Sequence, residues 1–289
     1  MTLDSAKLRT AIEAIEDLPT LPTVVTKITS QIRNPATNAT DIGKLIEQDQ
    51  VLTGKVLRLV NSAYYGFPKQ IRSIQNAVVI LGFNKIRTVV ITASVFDLIK
   101  RDQRGLDVKR FWQHSLGAAI ASRVVAETLG DGHAGDEAFV GGLLHDIGKI
   151  VLDQYQPAVY GPIVKYAHDR GILLVESEKA VMGLTHAKVG EWIAEKWRLP
   201  SVIVNMVRYH HSPTHAAERR DMATAVHLGD ILARALGVGY GGDNRIPVID
   251  ATLAGNRAID SDLLDSLVNK VTSELDKADE FFALISGDI

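Results

Sequence analysis

Apolar residues recur at three- and four-residue spacing along almost the whole chain, and no run alternates apolar with polar as a half-buried strand would. That pattern predicts an all-α fold. Leu3, Ala6, Leu8, Ile12 and Ile15 mark a first helix, which the turn Leu18-Pro19-Thr20-Leu21-Pro22 ends. A second helix follows to about Arg33, with Pro22 in its first turn, where a missing N–H costs little. Thr40 is the expected N-cap of a helix over residues 41–48, with Asp41 in its first turn. Further helices are expected over 51–62, 73–81 and 84–100, the last two separated by Gly82. Beyond them come 108–129, 136–145, 152–170, 186–197, 201–209 and 221–236. A Gly-rich loop spans 237–243, and one or two helices close the chain over 260–286. No fixed-period repeat is visible.

The chain is long enough, at 289 residues, for one large or two modest domains. It has no cysteine, which excludes a disulfide scaffold, thiolate metal sites and a cysteine nucleophile. A formal net charge of −2 argues against a general nucleic-acid binder, which carries a basic excess. A helix-turn-helix could be hidden among the N-terminal helices, but no basic recognition helix stands out, and such binding would weaken steeply with salt. The N-terminus is charged and amphipathic, without an apolar signal core. The longest apolar stretches are broken by Asn84, Lys85 and Arg87, short of the roughly 18 residues a membrane span needs. The expectation is a soluble cytoplasmic protein with no membrane partner.

Residues 100–109 are polar, with Arg101, Asp102, Arg104, Gly105 and Asp107, and form the best lobe boundary. They read as a solvated junction rather than a docking patch. The division expected is an N-terminal helical lobe over 1–105, a helical bundle over 106–240 and a C-terminal helical extension over 241–289.

The informative residues are polar ones at positions where apolar ones belong. His114 shares a helix face with Gly117, Ala118, Ala121 and Val125, small residues that let helices approach closely. His145-Asp146 follows the apolar run from Ala138 to Leu144, so both sit at the end of a buried helix, with Gly148 and Lys149 just after. His186 lies on the face of Val189, Gly190, Ile193 and Trp197. His210-His211 ends a helix before Ser212-Pro213, and Asp230 shares a face with Ala223, Val226, His227 and Ala233. A lone histidine on an apolar face is usually a hydrogen-bonded core residue, and an aspartate in a helix is usually at the surface. Five histidines and two aspartates on inward faces are a different matter. Facing helices of a bundle converge such side chains on one interior point. Without a metal, burying them would leave costly unpaired polar atoms. Imidazole and carboxylate together suit Fe, Mn, Ni or Zn, and the two oxygens of Asp146 can bridge two such ions. His133, His168, His215 and His227 lie in polar or loop contexts or in supporting positions and are read as non-ligands.

The order of these motifs resembles the HD superfamily of metal-dependent phosphohydrolases, and the ligand pattern is nearest its HD-GYP branch. Leu18-Pro19-Thr20-Leu21-Pro22, the stretch from Leu57 to Gly66, Ile80-Leu81-Gly82-Phe83, and His186 followed by Gly190, Trp197, Leu199 and Pro200 are similar to hallmarks of the HDOD family, the HD-related output domain. The match covers residues 15–235 or so. The resemblance implies an N-terminal helical lobe packed on an HD-like bundle and a role in bacterial signal transduction. It implies that His114, His145, Asp146 and Asp230 hold one divalent transition-metal ion. His186, His210 and His211 would hold a second, with Asp146 bridging and Lys149 near a bound phosphate. HDOD domains are regarded as non-catalytic, and many have lost these ligands, whereas this chain keeps them. Arg110 stands where HD-GYP proteins often carry an acidic residue, which argues against a third ion. Residues 212–216 replace the Gly-Tyr-Pro loop, which argues against cyclic-di-GMP.

Two readings of function follow. In the first, the chain is a regulatory protein that acts by binding a protein partner in a signalling pathway, and the metal site is retained from HD ancestry. In the second, it is a metal-dependent phosphodiesterase or phosphohydrolase acting on a nucleotide or cyclic dinucleotide, a phosphate-containing small molecule, with Asp146 and Lys149 as catalytic residues. The plainer alternative for Lys149 is a surface lysine at a helix C-terminus.

Overall fold

A computed structural model describes residues 10, 21, 23–32, 34–96, 106–130, 134–249, 253 and 259–286. The expected first helix, its proline stop, Pro22, His133 and most of the 100–109 junction lie outside the described residues. Every described element is helical, and the fold is all-α. The chain divides into two compact units, one of Thr20–Lys100 with Ser273–Ile289, the other of Met1–Pro19 with Arg101–Thr272.

The smaller unit begins with α1 (Thr23–Gln31), which buries Val25 and Ile28. Next is α2 (Ala39–Glu47), whose N-cap is Asn38 rather than Thr40. The Asn38 side chain accepts from the Thr40 and Asp41 amides, and Asp41 accepts in return from the Asn38 amide. This reciprocal box needs a carboxylate three residues after the cap, which only position 38 provides. Asp49 caps α3 (Gln50–Val60). The loop after it is tied by Asn61, whose amide nitrogen donates to the Leu57 and Ile71 carbonyls while its oxygen accepts from the Ile71 amide.

The helix α4 (Ile74–Val95) is apolar and long enough, by length and composition, to cross a membrane. It is broken at Gly82, where φ is 78° and ψ 169°. Only glycine adopts that backbone without strain, and neither arm approaches the ~20 residues a span requires. Most of its second arm, from Ile86 to Val95, is buried in the core.

The larger unit holds α5 (Val108–Leu129), α6 (Gly135–Leu144), α7 (Ile147–Tyr155), α8 (Pro157–Arg170), α9 (Leu174–Met182), α10 (His186–Lys196), α11 (Ser201–Tyr209) and α12 (Arg220–Ala235). The long α5, buried along most of its middle from Phe111 to Ala126, is the axis, with α6 and α12 packed along it and α10 lying between α7 and α11. One helix was expected over 152–170, and two are found. Pro157 has no amide hydrogen to continue α7, so it opens α8 instead. The short helix α9 was not expected. It is bracketed by Gly171 and Gly183, both left-handed, which end α8 and α9. The chain then continues through α13 (Ser261–Asp276) and, in the smaller unit, α14 (Asp279–Ser286), whose Phe281 ring lies 5.5 Å from that of Tyr64.

Candidate metal centre

Six elements of the larger unit aim polar side chains at one buried point. From α5 comes His114, from the α6–α7 junction His145 and Asp146, and from the first turn of α10 His186. His210 and His211 follow the last turn of α11, and Asp230 comes from α12. All are fully or almost fully buried except His211, which is half-buried. The predicted ligands are thus brought together without exception, in two groups. Asp146, His186, His210 and His211 form one, and His114, His145 and Asp230 the other, with the ligand atoms of each group within 4.8 Å of one another.

Asp146 joins the groups. Its Oδ2 lies 3.2 Å from His145 Nε2 and 3.7 Å from His114 Nε2, and its Oδ1 lies 3.1 Å from His186 Nε2 and 3.8 Å from His210 Nε2. Asp230 Oδ1 is 3.0 Å from His114 Nε2. On the far side, His186 Nε2 is 3.3 Å from His210 Nε2 and 3.0 Å from His211 Nε2.

The outer nitrogens decide what the inner ones are. His145 Nδ1 is 2.6 Å from the Gly142 carbonyl, and His210 Nδ1 is 2.7 Å from the Val207 carbonyl. A carbonyl only accepts, so each Nδ1 carries the hydrogen and each Nε2 presents a lone pair. His186 Nδ1 likewise donates to Glu178 Oε2 at 2.7 Å. Lone pairs of His145 and His210 thus face neighbouring imidazoles and a carboxylate oxygen, an arrangement that a bound cation would stabilise. Among the described residues, His145 Nε2 and Asp146 Oδ1 are buried without a geometrically good hydrogen bond. The residues present therefore fit a pair of metal ions.

Charge tells the same story. Burial pushes His210 and His211 well below the ordinary histidine value, and the neighbouring imidazoles push further, so both are neutral. Burial also lowers His114, against the pull of Asp230. Burial would raise Asp146, but His145 and Lys149 hold it well below the carboxylate range. Burial would likewise raise Asp230, but Arg234 and His114 hold it down. His186 is the exception: burial would lower it, yet Glu178 and Asp146 keep it raised.

Sequence reasoning missed Glu178. It is fully buried on the unforeseen α9, accepts from Tyr160 Oη at 2.7 Å and from the His186 amide at 2.9 Å, and orients the His186 ring. Its signal was there: Leu174, Glu178 and Met182 share a stripe at four-residue spacing, and two of the three are core residues. Arg234 was missed as well. Its Nε donates to Asp230 Oδ1 at 2.7 Å and its Nη1 to Asp243 Oδ1 at 3.0 Å. His227 supports the centre from behind, with Nδ1 2.7 Å from the His210 carbonyl.

Lys149 is neither on the surface nor at a helix C-terminus. It is fully buried in α7, and its Nζ donates to Asp146 Oδ2 and to the Gly241 carbonyl, both at 2.6 Å. Arg110 points away from the centre, its guanidinium donating to the Gly239 carbonyl at 3.3 Å.

Backbone sets the spacing of the halves. A side chain on Gly148 would place Cβ 2.0 Å from the His186 carbonyl oxygen, so α7 and α10 touch main chain to main chain. His211 of the second group lines a surface groove. That groove is lined by His211, Tyr209, Trp192 and three cations, Lys179, Lys188 and Arg208.

Residues 18–213 match the family model of the HDOD domain. The chain belongs to the HDOD family. An uncharacterized protein of Treponema pallidum (strain Nichols) is 28% identical over 213 residues, which are 73% of this chain and 41% of that protein. The HDOD chain thus spans about two fifths of the length of that curated relative. Among solved structures, an HDOD domain protein of unknown function from Geobacter sulfurreducens is similar, with 24% identity, a TM-score of 0.76, and 97% of this chain and 98% of that one covered. A candidate phosphohydrolase from Shewanella amazonensis SB2B has 24% identity, a TM-score of 0.74, and coverage of 95% and 97%. At that identity the likeness to both structures is one of fold.

Proposed function

We propose that this HDOD protein is a cytoplasmic signal-transduction component of a bacterium. It holds two divalent transition-metal ions in an HD-type centre and acts through binding a partner. The observation that carries the metal reading is the convergence of imidazole Nε2 atoms on the two oxygens of Asp146, with outer nitrogens tied to acceptors. His114, His145, Asp230 and Asp146 Oδ2 would hold one ion. His186, His210, His211 and Asp146 Oδ1 would hold the other. Fe, Mn, Ni or Zn all suit this donor set.

The cationic groove beside His211 favours a second reading, a metal-dependent phosphodiesterase or phosphohydrolase of a nucleotide or cyclic dinucleotide. The ions would supply an activated water and neutralise phosphoryl charge. Lys188 and Arg208 would draw an anionic ligand to the groove, and Trp192 and Tyr209 offer flat faces beside it. Asp146 and Lys149 would stand nearest the chemistry, Asp146 as the shared carboxylate and Lys149 as the charge that fixes its position.

Elemental analysis of protein purified without chelator or metal-affinity resin tests the metal reading. About two ions per chain are expected. No metal, and no uptake of Mn, Fe or Zn, would overturn it. Turnover of a simple phosphodiester by the two-ion protein, lost in Arg208→Ala, would then select the second reading over the first.

A further inference from the structure

Both carboxylates of the centre are bridged to the same loop. Lys149 Nζ joins Asp146 Oδ2 to the Gly241 carbonyl. Arg234 joins Asp230 Oδ1 to Asp243 Oδ1. The loop, residues 237–243, lies over His114: Tyr240 N donates to the Arg110 carbonyl at 2.9 Å, and a Cβ on Gly239 would fall 2.2 Å from the His114 amide nitrogen. Asp243 is fixed further by the Leu174 and Arg245 amides.

The oxygens held by these internal cations are the two that face His114 and His145. Asp146 Oδ1, which faces the second group, is held by neither Lys149 nor Arg234, and its neighbour is His186 Nε2 at 3.1 Å. A dication and an ammonium or guanidinium ion repel strongly when both lie against one carboxylate oxygen in a buried site. The second group can therefore accept an ion with its tethers intact, and the first group cannot.

Building on the dinuclear reading, we infer that the 237–243 strap is a metal-responsive latch. The ion at His186, His210 and His211 binds with the latch closed. The ion at His114, His145 and Asp230 displaces Lys149 and Arg234 from their carboxylates and releases the strap. Such coupling is reciprocal: whatever loosens the strap tightens the first group's hold on metal.

The full chain, stripped of metal, is titrated with Mn²⁺ alone while hydrogen exchange is followed at the Tyr240 and Arg245 amides. The first equivalent leaves exchange unchanged, and the second speeds it about tenfold. Gly239→Ala, which lifts the strap without altering charge, binds the second equivalent about tenfold more tightly and the first unchanged. Should that variant fail to fold, Lys149→Met removes a competing cation. It is expected to tighten the second equivalent and to speed strap exchange without metal. Acceleration at the first equivalent, a second equivalent that leaves the strap unmoved or slower, or variants of unaltered affinity would each overturn the latch. Absence of any Mn²⁺ binding by the wild type would instead overturn the dinuclear reading on which it rests.

Discussion

The two halves of the His/Asp cluster share one carboxylate, Asp146, yet meet opposite surroundings. His114, His145 and Asp230 are sealed from solvent, and their oxygens are neutralised by Lys149 and Arg234. His186, His210 and His211 face an oxygen that neither Lys149 nor Arg234 holds, and His211 borders a cationic groove. The first half is balanced by the protein's own cations, and the second is not. The same donors, placed in different surroundings, would make an ion in the first half compete with internal cations and an ion in the second half bind without that competition.

Asp146→Ala removes what the halves share and should have the largest effect. Metal content falls to near zero by elemental analysis, and the buried Lys149 loses its carboxylate, at a cost of about 3–5 kcal/mol in chemical unfolding. His145→Ala and His211→Ala separate the halves. Each should lose about one ion per chain, with His145→Ala the more destabilising because it opens a cavity in a sealed site. Equal loss of both ions in His211→Ala would contradict the division. Glu178→Gln acts on the second half alone and should weaken only that ion, by about 10–100-fold in a competition assay with a chelating dye.

The smallest effect concerns a carboxylate outside both halves. Burial raises the pKa of Asp153, whose side chain accepts from the Leu106 amide at 3.4 Å. The fold favours its neutral form, so its contribution to stability is present below the ordinary carboxylate value. That contribution is lost as pH rises through the raised native value. Asp153→Asn should flatten this part of the stability profile, measured by urea denaturation across that range. An unchanged profile would place the pH dependence elsewhere.

The helices and the clustered His and Asp residues were legible in the sequence for a common reason: each is written as a local spacing. Val108–Leu129 and Ser201–Tyr209 follow from apolar periodicity, and His114 and Asp230 are conspicuous by interrupting it. The cap at Asn38 was misassigned to Thr40 because both are good caps and only the reciprocal bond from Asp41 distinguishes them. Glu178, Arg234 and Asp243 were missed for a different reason. A charged residue reads as surface unless its partner is known: Glu178 and His186 lie 8 residues apart and Arg234 and Asp243 9, while the four-residue spacing of Asp230 and Arg234 reads equally as an exposed ion pair. Lys149 and the Gly241 carbonyl are 92 residues apart, a separation at which no spacing rule operates.

The main-chain contact at Gly148 would have a consequence for which ion the proposed centre accepts. Side-chain rotamers can breathe to suit cations of different radius, but two abutting backbones cannot. With α7 and α10 in direct contact, the distance from Asp146 to His186 works as a fixed gauge. An ion that is too large or too small would meet a ruler rather than a glove, and discrimination among metals would fall to fit as much as to donor chemistry.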